Sequence, residues 1–142
     1  VEIKQSMGQG PENQAALQIR RTVFIDEQGI DADLEFDGTD SDKKHYVGYE
    51  NGRPVTTARV ELTPTGWLVQ RVATLPEDRH HGYSQQLLTQ IISDAAKAGT
   101  PQVRLDAQHQ AVSFYDRLGF QVAGGAFLEA GIVHYPMIKE LL

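Results

Sequence analysis

Arg79, His80 and His81 stand directly before Gly82, and beyond it Tyr83, Leu87, Leu88, Ile91, Ile92, Ala95 and Ala96 fall at the spacing of one helical face. The spacing predicts a helix that begins near residue 83 and stops at Gly99, with Pro101 just beyond. A helix start leaves its first backbone amides without internal partners and carries partial positive charge. Cationic side chains, free N–H groups and a glycine therefore converge on one point, which suits a phosphate. Gly82 has no Cβ, so a phosphate could approach the backbone closely there. Taken alone, the pattern fits an exposed basic turn between a strand and a helix equally well.

Other chemistries are excluded or disfavoured by residue type. The chain has no cysteine, which rules out disulfides, thiolate metal sites and a cysteine nucleophile. Its five histidines are scattered, with no His-Glu-x-x-His spacing, so no metal is expected. No Gly-Lys-Ser or Gly-Lys-Thr follows the glycine, which argues against a Walker loop. A net charge of −6 disfavours a nucleic-acid surface, since binding a phosphate backbone rests on clustered Lys and Arg. No apolar run approaches the ~20 residues that a membrane helix requires, so no membrane partner is expected. Val1 to Ser6 lack the sections of a signal peptide, and a cytoplasmic location is expected. With 142 residues, 40% hydrophobic and 23% charged, residues 1–142 read as a single domain.

The elements that must position the basic loop follow from periodicity and turn residues. Residues 1 to 6 alternate as a short strand, and Pro11 opens a helix over about residues 12 to 24. From Gly29 to Lys44 the chain is acidic and poor in apolar residues, with Asp31, Asp33, Glu35, Asp37, Asp40 and Asp42. It reads as a solvated surface loop, the alternative being a flap over a positively charged substrate. Asn51-Gly52 between two strand-like runs is a strong hairpin signal, and Thr63-Pro64-Thr65-Gly66 supplies a second turn. Three antiparallel strands, 45 to 50, 53 to 62 and 67 to 74, thus arrive at the basic loop. The helix after it feeds a strand over residues 102 to 107, which implies a right-handed crossover and a parallel pair. A short helix over 110 to 118 and two strands, 120 to 126 and 132 to 138, complete the chain.

This order resembles that of the GNAT superfamily of acyl-CoA N-acyltransferases, and the local residues resemble its motifs. Arg79-His80-His81-Gly82-Tyr83-Ser84 is similar to the family's cofactor motif, Gln or Arg, two residues, Gly, one residue, then Gly or Ala. Arg71 to Glu77 resembles the strand whose backbone holds the pantetheine arm. Phe114-Tyr115-Asp116-Arg117-Leu118-Gly119-Phe120 resembles the second signature, in which the Tyr stands near the thioester sulfur. Gln108 lies where many members carry an Asn that contacts coenzyme A, and Ser84 stands in place of the usual Gly or Ala. Residues 23 to 28 and 127 to 134 resemble the ElaA-like subgroup.

The resemblance implies a mixed α/β GNAT fold: a mostly antiparallel sheet of about six to seven strands with one splayed parallel pair, flanked by about four helices. It implies acetyl-CoA as co-substrate, held by Val72, Ala73, Thr74, Arg79, His80, His81, Gly82, Tyr83, Ser84, Gln85 and Gln108. It also implies N-acetyl transfer to a small-molecule or peptide amine. Tyr115 is the implied proton donor to the leaving sulfur, and periodicity alone would make it a core tyrosine. An amine with a pKa near ~10.4 must lose a proton before attack. Glu129 and His134 lead as bases, with an outer-strand His134 and a turn Glu129 as the plainer account. Glu27 and His45 follow as substrate-binding candidates. Without cysteine, an acyl-cysteine intermediate is excluded, and direct attack in a ternary complex is expected. The competing reading is a non-catalytic acyl-CoA-binding module. Edge strands and dimer strands look alike in sequence, so a homodimer stays open.

Overall fold

A computed structural model describes residues 1–142. Strands β1 (Glu2–Met7), β2 (Lys44–Glu50), β3 (Arg53–Thr63) and β4 (Gly66–Thr74) form an antiparallel run, and β5 (Gln102–Gln108) joins β4 in parallel. Strand β8 (Ile132–Glu140) pairs with β5 and carries both β6 (Gln121–Val122) and β7 (Phe127–Glu129) on its other side. The segment expected as one strand over 120 to 126 is thus a two-residue strand, and a separate three-residue strand follows it.

Helix α1 (Pro11–Arg20) packs on β2 and β3 and runs on through wider π-type turns, Arg21–Glu27, past the expected end near Phe24. On the other face, α3 (Tyr83–Lys97) buries Leu87, Leu88, Ile91 and Ala95 against the sheet. Each such Leu or Ile contributes roughly 1.5–3 kcal/mol by leaving water. The helix ends where the sequence predicts: Gly99 takes a left-handed φ of 77°, and the Thr100 and Gly99 amides donate back to Ala95 and Ala96. Asn51 and Gly52, at φ 52° and 79°, make the tight hairpin turn their types favour.

The acidic segment stays exposed at Asp31, Asp33 and Asp42 but is not solvated throughout. It folds into a helical turn, α2 (Ala32–Glu35), and a 3₁₀ turn at Asp40–Asp42, and three of its carboxylates meet buried arginines. Arg20, only 1% exposed, donates to Glu35 at 2.6 Å and to Asp40 at 2.9 Å. Arg59, 2% exposed, reaches Asp37 and Asp40, both at 3.0 Å, and Arg71 reaches Glu35 at 3.0 Å. The expectation of solvation fails because an arginine on a helix face and another on a strand supply partners that local sequence does not reveal.

Two features of β4 prepare the site. Its pairing with β3 is interrupted between Thr57 and Arg59, where Ala58 faces an extra residue, and Arg71 in this bulge takes a φ of 56°. Its parallel pairing with β5 covers only Trp67 to Val69 against Val103 to Leu105. Beyond that point the two strands part.

Candidate active site

The parting strands open a cavity of about 290 Å³, whose lining includes Val72 of β4, Asp106 and Gln108 of β5, and His134 of β8. Tyr115, on the short helix α4 (Val112–Arg117), reaches it from the far side of the sheet, and Glu129 reaches it from the end of β7. Phe24, Gln28 and Ile30, from the end of the π-type turns, together with Leu34 and Glu35 of α2, close the remaining side.

Tyr115 is 6% exposed, its ring set edge-on to Phe114 and Phe120. No protein group hydrogen-bonds its hydroxyl, and the residue lines the cavity. Burial pushes the phenol well above its ordinary pKa, so it holds its proton at neutral pH.

His134 is 7% exposed and stacks on Phe127 with ring centroids 5.7 Å apart. Its Nδ1 lies 2.8 Å from the Ile132 carbonyl oxygen, which can only accept, so Nδ1 carries the proton. Nε2 is left as the accepting nitrogen, 3.7 Å from Glu129 Oε2. An imidazole held by Nδ1 presents Nε2 to the cavity, where that nitrogen can exchange a proton. The plainer account, with His134 on an outer face, does not hold for its position.

Gln108 and Gln28 exchange amide hydrogen bonds, at 3.0 and 3.5 Å, across the mouth of the parting strands. Gln110 adds a donor to Gln108 Oε1 at 2.6 Å.

The basic loop lies at the outer end of β4. Gly82 precedes the first turn of α3 with a φ of 78°, and a Cβ added there would meet nothing within 4 Å. The backbone amides of residues 80 to 85 donate to no protein acceptor. His80 shares the left-handed conformation at φ 67°, an unusual cost for a non-glycine residue that turns the loop's amides outward. Open space beside Gly82 and a row of free N–H groups fit an anionic pyrophosphate.

The loop's side chains are more committed than the sequence suggests. Ser84 Oγ bonds Thr74 Oγ1 at 2.5 Å, with Thr56 Oγ1 3.4 Å away, so its hydroxyl ties α3 to the sheet and does not reach outward. Arg79 grips Glu27 through both guanidinium nitrogens, at 2.7 and 2.5 Å, and its Nε donates to the Thr74 carbonyl. Tyr83 stacks with His81 and points its hydroxyl to Glu50 at 3.3 Å. The Arg79 hydrogen bond pulls the Glu27 carboxyl below its usual range.

The two expected substrate contacts lie outside the cavity lining. Glu27 is spent on Arg79 and does not line the cavity. His45 is 0% exposed, with Nε2 at 3.0 Å from the Asp40 carbonyl, so no acceptor reaches it. Burial holds its pKa below the ordinary histidine value, which keeps it neutral inside the sheet. Asp106, by contrast, lines the cavity and went unread in the sequence. Alternation of Val103, Leu105 and Ala107 toward the core was the available signal, because it turns Asp106 to the opposite face.

A family model for the acetyltransferase (GNAT) domain matches residues 12–141. The chain belongs to the GNAT acetyltransferase family. Among curated proteins this GNAT chain is 33% identical to YyaT of Bacillus subtilis over 129 residues, covering 89% of this chain and 87% of the relative. The crystal structure of ElaA from Escherichia coli superposes with a TM-score of 0.87 at 26% identity, covering 99% of this chain and 100% of the other. An acyl-CoA N-acyltransferase from Pseudomonas aeruginosa gives a TM-score of 0.84 at 26% identity over 98% and 99% of the two chains. The mixed sheet with its single parallel pair is the GNAT fold.

Proposed function

We propose that this GNAT domain transfers an acetyl group from acetyl-CoA to a primary amine, by direct attack while both substrates are bound. The observation that carries the reading is Tyr115: a phenol whose ring is buried and whose hydroxyl, bonded by no protein group, borders the cavity where β4 and β5 part. A sulfur leaving within that cavity would need a proton or a hydrogen bond from such a group.

The free amides of residues 80 to 85 hold the pyrophosphate beside Gly82, with His80 and His81 as nearby side chains. The β4 edge at Val72, Ala73 and Thr74, without a strand partner on the β5 side, bonds the amides of the pantetheine arm as a neighbouring strand would. Gln108 flanks the arm where it enters the cavity. His134, with Glu129 beside it, takes a proton from the bound ammonium. The freed nitrogen attacks the thioester carbonyl, and the C–S bond breaks with Tyr115 at the sulfur. Holding both reactants together in this cleft supplies much of the rate. An acyl-CoA donor goes with the acyl-CoA N-acyltransferase named among the relatives, and a cytoplasmic setting goes with that donor.

Initial-rate kinetics with both substrates varied test the proposal. Amine-dependent thiol release with intersecting double-reciprocal lines is expected. Parallel lines would overturn direct attack, and acetyl-CoA binding without release for any amine would leave the chain a binding module.

A further inference from the structure

We infer that Asp106, together with Glu129, binds the ammonium group of the acceptor, so that the acceptor is a cationic amine with no carboxylate beside the reacting nitrogen. This rests on the acetyl-transfer reading above and names the substrate class for the same site.

The charge inventory of the cavity carries the inference. Three carboxylates line it: Glu35, Asp106 and Glu129. Arg71 is the one arginine or lysine among the lining residues, and it is already engaged with Glu35 at 3.0 Å and Asp37 at 3.4 Å. Glu35 is matched by Arg20 as well. Asp106 has no ion-pair partner, and Glu129 has only the His134 ring at 3.7 Å. The cavity thus offers two unmatched carboxylates and no free cation.

Two further groups face the same space without a hydrogen bond. Tyr115 presents a hydroxyl that no protein atom bonds, and His134, more than nine-tenths buried, presents Nε2 with only Glu129 Oε2 near it, at 3.7 Å. Asp106 and Glu129 are themselves exposed, and they stand beside a buried histidine and a buried tyrosine that can accept and donate a proton, an arrangement that suits a bound ammonium. Burial and the Glu129 charge both raise the Asp106 carboxyl above its ordinary pKa, only partly offset by His134 and Arg104, so an arriving cation relieves it. An α-amino acid would bring its carboxylate against Asp106 and Glu129 with no arginine free to receive it.

The proton and electron count closes. The ammonium gives one proton to His134 Nε2, and its nitrogen lone pair forms the C–N bond to the thioester carbonyl carbon. The C–S bond breaks, the sulfur keeps the electron pair, and it receives the second nitrogen proton by way of Tyr115. His134 then returns its proton to solvent. The products are the N-acetyl amine, coenzyme A thiol and one proton.

The test compares butylamine and 1,4-diaminobutane with 2-aminopentanoate, which is butylamine carrying an α-carboxylate. Thiol release from acetyl-CoA is measured for the wild type, Asp106→Asn and Asp106→Glu. The two simple amines should exceed 2-aminopentanoate in kcat/KM by about tenfold or more. Asp106→Asn should raise the amine KM by about tenfold while the KM for acetyl-CoA stays unchanged, and Asp106→Glu should recover part of the loss. Calorimetric titration of butylamine into protein saturated with coenzyme A should weaken in Asp106→Asn in parallel. Equal use of 2-aminopentanoate, or an unchanged amine KM in Asp106→Asn, overturns the inference and leaves acetyl transfer standing. No release with any amine overturns acetyl transfer itself, and this inference with it.

Discussion

Two charged regions lie side by side in this molecule, and they differ in how completely their groups are matched. Beneath the segment 31 to 42, Arg20, Arg59 and Arg71 are each bound to carboxylates of Glu35, Asp37 or Asp40, and little of the cluster is left for a ligand. In the cavity next to it, Asp106, Glu129, His134 and Tyr115 keep lone pairs and a hydroxyl without protein hydrogen-bond partners. Glu35 and Arg71 belong to both. The matched region fastens the wall of the cleft, and the unmatched one is left for substrate.

The comparison breaks most visibly if a matched group is removed. Arg20→Ala leaves Glu35 and Asp40 short of a buried partner, and a loss of about 3–5 kcal/mol in urea unfolding is expected. A loss under 1 kcal/mol would mean that the cluster is not a structural clasp. Gly82→Val forces a β-branched residue into a left-handed conformation and fills the space beside the free amides. Acetyl-CoA affinity by calorimetry should fall about tenfold or more, with the fold retained. Unchanged affinity would remove this loop from the site.

Acid separates the two regions more gently. The Arg59 hydrogen bonds hold the Asp37 carboxyl far below its ordinary pKa, so its contribution to stability is complete above about pH 4 and decays as pH falls toward the folded value. Glu35 runs the other way: burial raises it, so its ionisation works against the fold as pH rises. Asp37→Asn should therefore melt below the wild type at pH 7, and the gap should narrow progressively below about pH 4. A gap undiminished at pH 2 would assign its origin to packing. The smallest effect belongs to Glu27→Gln, which weakens an exposed pair with Arg79 and should cost no more than about 1 kcal/mol.

How much of this the sequence discloses depends on the range of the interaction. Helix α3, the Asn51-Gly52 turn and the parallel crossover are written in neighbouring residues, and each stands where periodicity and turn chemistry place it. The Arg20–Glu35 and Arg59–Asp40 pairs join residues 15 and 19 positions apart, so the acidic segment reads as solvated until its partners are seen. Arg71 lies inside the strand read as the pantetheine ledge. Its bulge, just past the point where β4 leaves β5, depends on strand register and has no local signature. The cavity brings Tyr115, Glu129, His134 and Gln108 together from four separate elements, whereas His45 and Glu27 are drawn off by Asp40 and Arg79. Ser84 Oγ turns to Thr74 because a hydroxyl at the start of α3 finds the edge of the sheet within reach.

Tyr115→Phe, followed by thiol release and by unfolding, tests the central claim most directly. The hydroxyl has no protein partner, so stability should be nearly unchanged, while kcat with the best amine should fall by about 10²-fold or more. Full turnover in the variant would contradict the account. So would a loss of activity that only tracked a loss of fold, since Tyr115 would then be a core residue and the cavity would have no proton donor.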